Sequence, residues 1–311
     1  MKIAFLLYPT RSIKVDEDSS FWIMHELAHR GHEVFHFESG DLFWADGHPR
    51  ATLSASCMDA RRGFILTKKN STSTALDDLD AIFIRKEPPF NNEYLYALQL
   101  LSSLDKRVFV LNDPTGVAMC NEKLFILELK EHIPESVVSS RPEELRKFIR
   151  SSKTKTVVKP LNDKGGSGIF VTGSRDRNLP SLLEQVTRAG SQKVMAQRYV
   201  PHDRGGDKRI LILEGEPLGC FVRVPSSADF RANLSVGGSM RKAGLSDRDR
   251  KIICALKPKL LKNGLYFVGI DVIGGYLSEV NVTSPSGIPE LRQLYGRRVE
   301  KNVADFIERS R

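Results

Sequence analysis

Residues 267–281 read Phe-Val-Gly-Ile-Asp-Val-Ile-Gly-Gly-Tyr-Leu-Ser-Glu-Val-Asn, which is typical of two apolar strands joined by Gly274-Gly275. Alternate residues of a strand point to opposite faces, so Glu279 and Asn281 share one face of the second strand. Asp271 lies on the first strand. Two carboxylates and an amide carbonyl form an all-oxygen ligand set, which suits Mg²⁺ shared with substrate phosphates. The alternative is a hairpin with ordinary polar residues on its solvent-facing side.

The register of this hairpin decides whether the three side chains can meet. A simple two-residue turn at Gly274-Gly275 would place Asp271 opposite Ser278, and Glu279 and Asn281 would then point to the other face. A site with three ligands therefore requires an odd shift, from a three-residue loop or from a bulge in one strand. We predict the odd register, in which Asp271 lies opposite Glu279 with Cβ atoms about 5 Å apart.

A second segment carries a glycine-rich turn that is suited to a phosphate group. A short strand at 156–160 contains Lys159 and precedes Gly165-Gly166-Ser167-Gly168. Consecutive glycines let backbone N–H groups converge on an anion, because no side chain blocks a close approach. A lysine on the preceding strand adds a positive charge at the same place. The alternative is a glycine-rich hairpin turn beside a lysine in solvent.

Four arginines lie at or near predicted strand ends, and a guanidinium group binds a carboxylate through two parallel hydrogen bonds. They are Arg85, Arg209, Arg223 and Arg231. Each one taken singly is typical of a protein surface, so only the fold can bring them to one site.

The composition is that of an ordinary globular protein, with 41% hydrophobic and 27% charged residues in a chain of 311. No apolar run approaches the roughly 20 residues that span a bilayer, and residues 3–8 are typical of a buried strand rather than a signal peptide. The four cysteines are scattered, with no CxxC pair, which argues against a disulfide framework or a zinc site. We therefore predict a cytoplasmic protein with no membrane partner.

The net charge of +9 is carried by the C-terminal two thirds of the chain. Residues 1–120 hold 13 Lys and Arg against 16 Asp and Glu, whereas the remainder holds 34 against 22. The excess is dispersed and lacks the aromatic residues that single-strand nucleic-acid binders place among their cations. A groove for a polyphosphate or a multiply charged acid explains this distribution, and so does a solvated basic surface. We predict no nucleic-acid partner.

The first 120 residues alternate strand and helix patterns, which predicts an α/β fold with a parallel sheet covered on both faces. No GxGxxG motif follows the first strand, so dinucleotide binding has no support. The Ser/Thr-rich segment 45–78 lacks firm periodicity, and we expect an insertion or a mobile loop. A helix from Pro114 is expected to run through residue 125. Further strands are predicted at 169–172, 193–200, 208–214 and 217–224, and further helices from 142, from 179, over 246–262 and after 289.

Several longer motifs occur together and in order along almost the whole chain. They are Asp18-Ser19-Ser20-Phe21, Arg85-Lys86-Glu87-Pro88-Pro89-Phe90, Asn121-Glu122-Lys123-Leu124-Phe125, Lys159-Pro160-Leu161, Met195-Ala196-Gln197, Gly206-Asp207-Lys208-Arg209 and Glu279-Val280-Asn281-Val282-Thr283-Ser284-Pro285. With them the sequence resembles bacterial glutathione synthetase. The Arg-Lys-acid-Pro-Pro-Phe and Glu-x-Asn-Val-Thr-Ser-Pro motifs are close to diagnostic of that family, whereas the lysines and the metal set alone indicate only an ATP-grasp ligase.

The resemblance implies an α/β ATP-grasp fold in three parts. These are an N-terminal Rossmann-like parallel-sheet domain that binds substrate (1–120), a small central lid domain (121–200), and a C-terminal α+β domain (201–311) with a mobile loop at about 225–242. It also implies an ATP-dependent carboxylate–amine ligase that joins γ-glutamylcysteine to glycine through an acyl phosphate and releases ADP and phosphate. The implied cofactors are ATP and two Mg²⁺, with Mn²⁺ as an alternative. The implied assembly is a homo-oligomer, a tetramer.

The resemblance further implies a role for individual residues. Nucleotide binding falls to Lys123, Lys159, Gly165, Gly166, Gln197, Tyr199, Val200 and Asp207; the metal ligands are Asp271, Glu279 and Asn281; the catalytic residues are Arg209, Arg223 and Arg231; the substrate-binding residues are Arg85, Asn233 and Ser284. We expect the two lysines to line an exposed cleft. The chain departs from the family pattern at Lys164 in the lid turn, at Arg198 in the hinge and at 239–242 after the loop, which bears on nucleotide contacts and loop closure.

Three other functions stay open at this point. A related ATP-grasp ligase with a different amine or peptide substrate would share the lysines and the metal set, but not the motif at Arg85 or the extension 282–285. A glutathione synthetase that prefers another amine, such as β-alanine, would share all of these motifs. A basic nucleic-acid-binding module would differ from both, because its affinity would fall steeply with salt.

Overall fold

The fold is known from a computed structural model, which describes residues 1–10, 13–14, 17–59, 63–66, 72–162, 166–201, 206–225 and 237–310. The strands are β1 Lys2–Leu7, β2 Glu33–Glu38, β3 Leu42–Ala45, β4 His48–Asp59, β5 Gly63–Leu66, β6 Thr72–Ala75, β7 Ala81–Arg85, β8 Phe109–Leu111, β9 Ser136–Ser139, β10 Thr156–Pro160, β11 Phe170–Thr172, β12 Val194–Arg198, β13 Asp207–Leu213, β14 Glu216–Val224, β15 Ser239–Lys242, β16 Phe267–Ile273 and β17 Tyr276–Asn281. The helices are α1 Ser19–His29, α2 Asn92–Ser102, α3 Pro114–Met119, α4 Pro142–Arg150, α5 Leu179–Val186, α6 Asp247–Lys262, α7 Ile288–Tyr295 and α8 Glu300–Arg309. Short 3-10 helices cover Ser39–Asp41, Leu76–Asp78, Phe125–Glu128 and Lys130–His132.

The first sheet has the strand order β3-β4-β2-β1-β7-β8, and the four strands β2, β1, β7 and β8 are parallel. Strand β1 is apolar because both of its faces are covered. Ile3 and Phe5 pack with residues of α1, whereas Ala4 and Leu6 pack in a second core with residues of α2. The predicted parallel sheet with helices on both faces is confirmed.

The segment expected to be a loop at 45–78 consists largely of antiparallel strands in its described part. Strand β4 pairs with β3 and β6 through its first half, and with β2 and β5 through its second half. Ala51 and Leu53 are buried, whereas the Ser and Thr between and after them are only partly buried. This alternation has the period of a strand. Its residues are mostly small or hydroxylated, however, so the hydrophobic contrast between the two faces is too weak to predict a strand from the sequence.

The second sheet is antiparallel, with the order β11-β10-β12-β9, and α4 and α5 cover one of its faces. The helix expected from Pro114 through residue 125 is shorter than predicted, since α3 ends at Met119. The side chain of Asn121 accepts hydrogen bonds from the backbone N–H groups of Lys123 and Leu124, at 3.0 and 3.1 Å. Asparagine competes in this way with the helical hydrogen bonds, which interrupts the helix.

The third sheet is antiparallel, with the order β15-β14-β13-β16-β17. Residues of α6 pack on one of its faces and residues of α7 on the other. Each of these two cores also contains residues of the first sheet, whereas the second sheet has a small core of its own. The division of the chain into domains at residues 120 and 200 stays a prediction. No helix in the described residues has the length and apolar character needed to cross a bilayer.

The hairpin of β16 and β17 has the odd register that the sequence analysis predicts. A two-residue turn at Gly274-Gly275, where φ is +54° and +76°, places Ile273 opposite Tyr276. The register then shifts, and Asp271 lies opposite Glu279. The extra residue is Ser278, so the shift comes from a bulge in β17 and not from a longer turn.

Asn112 fastens the first sheet to the third. Its Nδ2 donates to the carbonyl oxygens of Phe267 and Val282, at 2.8 and 2.9 Å, and its Oδ1 accepts from the N–H of Phe267 at 2.8 Å. The side chain is buried, so water cannot replace these bonds. The amide of Asn112 therefore satisfies three backbone groups. They are the N–H and the carbonyl of Phe267, the first residue of β16, and the carbonyl of Val282, the residue after β17.

We predict that Asn112→Ala destabilises the protein by about 3 kcal/mol, because it leaves buried backbone groups without partners at about 1–3 kcal/mol each. Urea unfolding followed by far-UV circular dichroism measures the change. Asn302→Ala, at an exposed position on α8, is the matched control. Its free energy of unfolding should lie within about 0.5 kcal/mol of wild type, as is usual for surface substitutions. Equal stabilities of the two variants would contradict the role given to Asn112.

Candidate active site

Two aspartates and two arginines form a buried network in the middle of the third sheet. The strand registers place Arg209 on β13 beside Asp271 on β16, and Asp207 on β13 beside Arg223 on β14. Arg209 binds both oxygens of Asp271, with Nε and Nη2 at 2.6 and 3.0 Å. Arg223 binds both oxygens of Asp207, at 2.7 and 2.8 Å, and its Nη2 also lies 3.0 Å from Asp271 Oδ2.

The charges in this network balance, which is what makes their burial tolerable. Burial alone would raise the pKa of Asp271, but the charges of Arg209 and Arg223 outweigh it and hold that pKa well below its usual range. Burial raises the pKa of Asp207 against the opposing charge of Arg223. The pKa of Arg223 is raised, because the two carboxylates outweigh its own burial. Asp271 is therefore ionised at neutral pH.

The two lysines assigned to phosphate lie where the second sheet meets β17, and both are buried rather than in an exposed cleft. Lys159 Nζ donates to Gln197 Oε1 at 2.9 Å and to Ser278 Oγ at 3.0 Å. Lys123 Nζ lies 3.1 Å from Glu279 Oε1. The expectation of exposure was wrong because each ammonium group lies against acceptors. These are Gln197 on β12 and Ser278 on β17 for Lys159, and Glu279 on β17 for Lys123. Burial lowers the pKa of Lys159 to about 8.

The bulge in β17 brings the three predicted metal ligands to one place. Asn281 Nδ2 donates to Gly269 O at 3.2 Å and approaches Asp271 Oδ2 at 3.4 Å, and Asp271 lies opposite Glu279. No group of three or more His, Cys, Asp or Glu suited to a metal occurs in the described part of the chain, so the set depends on the amide of Asn281. Carboxylate and amide oxygens fit a hard divalent cation, and Glu279, with 24% of its side chain exposed, is the accessible carboxylate.

Glu122 is a polar residue of this region that the sequence analysis did not single out. Its Oε1 accepts from the N–H groups of Val282 and Thr283 and from Thr283 Oγ1, at 3.1, 3.2 and 2.8 Å. Burial, reinforced by the negative charge of Glu279, raises the pKa of Glu122 to about 7. Glu122 thereby fixes the backbone that follows β17. Its only sequence signal was its place before Lys123.

A cavity of about 560 Å³ lies at the carboxyl ends of β1 and β7, and Arg85 and Ser284 both line it. Arg85 Nε donates to Ser20 Oγ at 2.9 Å, and Nη2 donates to the carbonyl oxygen of Pro285 at 2.9 Å. Its Nη1 is buried and has no hydrogen-bond partner among the described residues. Burial lowers the pKa of Arg85. A buried guanidinium nitrogen without a partner in a cavity is suited to a carboxylate ligand.

Asp18 contributes a carboxylate to the same cavity. Its Oδ1 caps α1 by accepting from the N–H groups of Ser20 and Phe21, at 2.5 and 3.0 Å. Its Oδ2 accepts from Tyr8 Oη at 2.6 Å. Burial and the charge of Asp18 raise the pKa of Tyr8. The contact between Asp18 and Tyr8 joins the loop after β1 to the start of α1, so it depends on the fold.

The remaining predicted nucleotide residues lie on β12 or just after it. The Gln197 side chain binds Lys159, and the N–H of Tyr199 donates to Lys155 O at 2.9 Å. Val200 lies beside the turn at Gly274, where an added Cβ would come within 2.4 Å of its Cγ1.

Arg198, a departure from the family pattern, points to α4 instead. It binds Glu135 at 2.9 Å, and its guanidinium lies 3.9 Å from the ring centroid of Phe148.

Several predicted residues cannot be placed. Lys164, Gly165, Arg231 and Asn233 lie outside the described residues, whereas Gly166 is described and has φ +77°. Of the loop expected at about 225–242, residues 226–236 also lie outside them. Its last four residues form β15, which pairs with β14, so the loop prediction was wrong there.

Solved structures with a similar fold define the class. D-cycloserine synthetase aligns with a TM-score of 0.71 over 98% of this chain and 100% of its own, at 14% identity. An ATP-grasp ligase of Chryseobacterium gregarium aligns with a TM-score of 0.68 over 100% and 98%, at 15% identity. The fold is that of the ATP-grasp ligases.

Sequence relatives narrow the class to one family. Family models of prokaryotic glutathione synthetase match residues 1–118 with the N-terminal domain and 122–296 with the ATP-grasp domain. Glutathione synthetase of Synechococcus elongatus is 40% identical over 99% of this chain and 98% of its own. That of Vibrio cholerae is 39% identical over 99% and 98%. The chain belongs to the prokaryotic glutathione synthetase family.

We predict that Asp271→Asn destabilises the protein by about 3–5 kcal/mol at pH 7, because two buried arginines are left with one carboxylate. Folding lowers the pKa of Asp271, so its contribution is present above the unfolded-state value of about 3.9 and is lost as the pH falls below it. The difference from wild type should therefore shrink below about pH 4. Urea unfolding at pH 7 and at lower pH measures both effects.

Asp247→Asn, at an exposed position of α6, is the control and should change stability by less than about 1 kcal/mol. A loss in Asp271→Asn no larger than in this control would show that the network does not hold the sheet together.

Proposed function

We propose that this protein catalyses the ATP-dependent ligation of γ-glutamylcysteine to glycine, with release of ADP and phosphate. The observation that carries the proposal is the placement of Lys123 and Lys159 against β17, next to the side chains of Glu279 and Asn281. A nucleoside triphosphate requires positively charged side chains and, close to them, oxygen ligands for a hard metal ion. The identity of about 40% to glutathione synthetases along the whole chain supports the substrate.

The reaction needs no nucleophile from the protein. The substrate carboxylate attacks the γ-phosphorus of ATP, ADP leaves, and an acyl phosphate forms. The glycine amine then attacks the acyl carbon and loses a proton, and the C–O bond to phosphate breaks. Positioning and charge neutralisation supply the catalysis.

Each part of the site has a proposed role in this sequence of steps. Lys123 and Lys159 hold the phosphates, and Asp271, Glu279 and Asn281 hold the divalent metal. When bound, Mg²⁺ neutralises phosphate charge and orients the oxygens, and Mn²⁺ is the alternative metal. We propose that two metal ions bind at this site.

The arginines complete the proposed assignment. Arg85 binds a substrate carboxylate through its Nη1, which has no hydrogen-bond partner among the described residues, and Ser284 lines the same cavity. Arg209 and Arg223 supply fixed positive charge to the acyl phosphate, because their aspartate partners hold them in place. Arg231 and Asn233 are proposed to act on the intermediate from the loop. Gly165, Gly166, Gln197, Tyr199, Val200 and Asp207 are proposed to surround the nucleotide.

The arrangement in the cell and the assembly are proposals as well. We infer a cytoplasmic enzyme with small-molecule substrates, no nucleic-acid partner, and three domains divided near residues 120 and 200. We also infer a homo-oligomer, a tetramer. Phe43 and Trp44 support self-association, because they are 38% and 52% exposed on β3, the edge strand of the first sheet.

We predict that phosphate release requires ATP, Mg²⁺, γ-glutamylcysteine and an amine together, with glycine as the best amine in a panel that includes β-alanine. A coupled phosphate assay measures it, and mass spectrometry identifies the product. Equal turnover with unrelated dipeptides in place of γ-glutamylcysteine would rule out the proposed substrate.

We predict that Lys123→Met and Lys159→Met each weaken ATP binding by roughly 10- to 150-fold, since a charge-assisted contact is worth about 1.5–3 kcal/mol. Methionine keeps the buried stem of each side chain, so the circular dichroism spectrum should not change. Calorimetry measures the affinity, with Lys301→Met, exposed on α8, as the control. Wild-type affinity in both variants would place the nucleotide elsewhere.

We predict that ATP affinity falls as the pH rises through about 8, because the pKa of Lys159 is lowered to about 8 by burial. The ammonium is charged below that pH and neutral above it, whereas an ordinary lysine would stay charged to about pH 10. Calorimetry from pH 7 to 9.5 measures the decline. Lys159→Arg, which does not titrate in this range, should remove it. An identical decline in that variant would assign the effect to another group.

A further inference from the structure

The bulge in β17 places two consecutive side chains against two different lysines. In a regular strand neighbouring residues point to opposite faces. Here Ser278 Oγ accepts from Lys159 Nζ at 3.0 Å, and the next residue, Glu279, lies 3.1 Å from Lys123 Nζ. The extra residue in the strand is what lets both side chains reach the lysines on the facing segments.

Ser278 also ends a chain of side-chain hydrogen bonds that crosses the second sheet. Gln197 Nε2 on β12 donates to Ser136 Oγ on β9 at 2.9 Å. Gln197 Oε1 accepts from Lys159 on β10 at 2.9 Å, and Lys159 donates in turn to Ser278 on β17. The chain therefore connects the second sheet to the hairpin of the third sheet that carries the metal ligands.

Within the described part of the chain, the hydrogen-bond partners of Lys159 are neutral, unlike the carboxylate of Glu279 that faces Lys123. A carboxylate close to an ammonium compensates its charge and competes with a phosphate, whereas an amide or hydroxyl oxygen orients the ammonium and leaves its charge available. A lysine ammonium has three N–H donors. Among the described residues, Gln197 and Ser278 accept from two of them, so the third can donate to a ligand.

We propose that Ser278 is a positioning residue for nucleotide binding: its hydroxyl, presented by the bulge, fixes the Lys159 ammonium with one N–H directed to a phosphate oxygen. This inference rests on the proposed function, because it assumes that Lys159 binds the nucleotide. Holding a lysine in one rotamer before the ligand arrives removes part of the ordering cost from binding. The hydroxyl therefore acts on nucleotide affinity through Lys159 and touches no reacting atom.

The test compares four variants: Ser278→Ala, Ser278→Cys, Ser278→Thr and the control Ser102→Ala, whose hydroxyl is exposed on α2. ADP dissociation constants are measured by calorimetry, and KM and kcat in the glutathione assay. Loss of the hydroxyl in Ala and Cys should raise the ADP Kd and the ATP KM about 3- to 10-fold. The values of kcat and of KM for γ-glutamylcysteine and glycine should stay within about twofold, and Thr, which keeps the hydroxyl, should restore ADP affinity.

The outcomes separate this inference from the proposed function. A wild-type enzyme that makes no glutathione overturns the function, whatever the variants do. If wild type is active, wild-type ADP affinity in Ser278→Ala or in the nearly isosteric Ser278→Cys overturns the positioning role. A Ser278→Thr variant as weak as Ser278→Ala would also overturn it, because the effect would then follow from shape and not from the hydroxyl.

Discussion

One extra residue in β17 sets the geometry of the candidate active site. Strand side chains alternate with a period of two, so a hairpin without the bulge would turn Glu279 and Asn281 away from Asp271. The two-residue turn of glycines and the bulge at Ser278 have to act together. The turn keeps the strands close, and the bulge corrects the register. Every contact between the lysines and β17 depends on this correction.

Charge burial is the second constraint, and the site meets it in two different ways. In the third sheet, the charges of Arg209 and Arg223 are matched by those of Asp207 and Asp271. Beside β17, burial lowers the pKa of Lys159 although the charges of Glu279 and Asp271 oppose this shift. A balanced network suits a structural framework, whereas a buried ammonium with a lowered pKa suits a site that binds an anionic ligand.

Sequence patterns predicted the elements well where hydrophobic contrast is strong. The first strand β1, α5 from Leu179 and α6 over 247–262 lie where expected. The final helix is two helices, because Gly296 adopts a left-handed conformation and ends α7. Strands β3 to β6 were missed, since Ser and Thr give weak contrast.

The odd register of the hairpin, in which Asp271 lies opposite Glu279, could be predicted because register follows from local geometry. The partners of the arginines and of Glu122 could not, because they come from strands far away in the chain. Asp271, for example, is 62 residues from Arg209, and no local periodicity reports such a pairing.

The contact between Arg85 and the Pro285 carbonyl spans 200 residues, and this separation has a consequence for biosynthesis. The first sheet leaves the ribosome long before Ser284 and Ser286, which complete the wall of the cavity. Domains fold as they emerge from the ribosome. During that interval Arg85 has neither its carbonyl acceptor nor the cover of Phe267, whose ring lies 5.6 Å from the guanidinium. A nascent chain therefore cannot form the complete cavity. A ligand that binds only the complete cavity stabilises the finished protein but not its early intermediates.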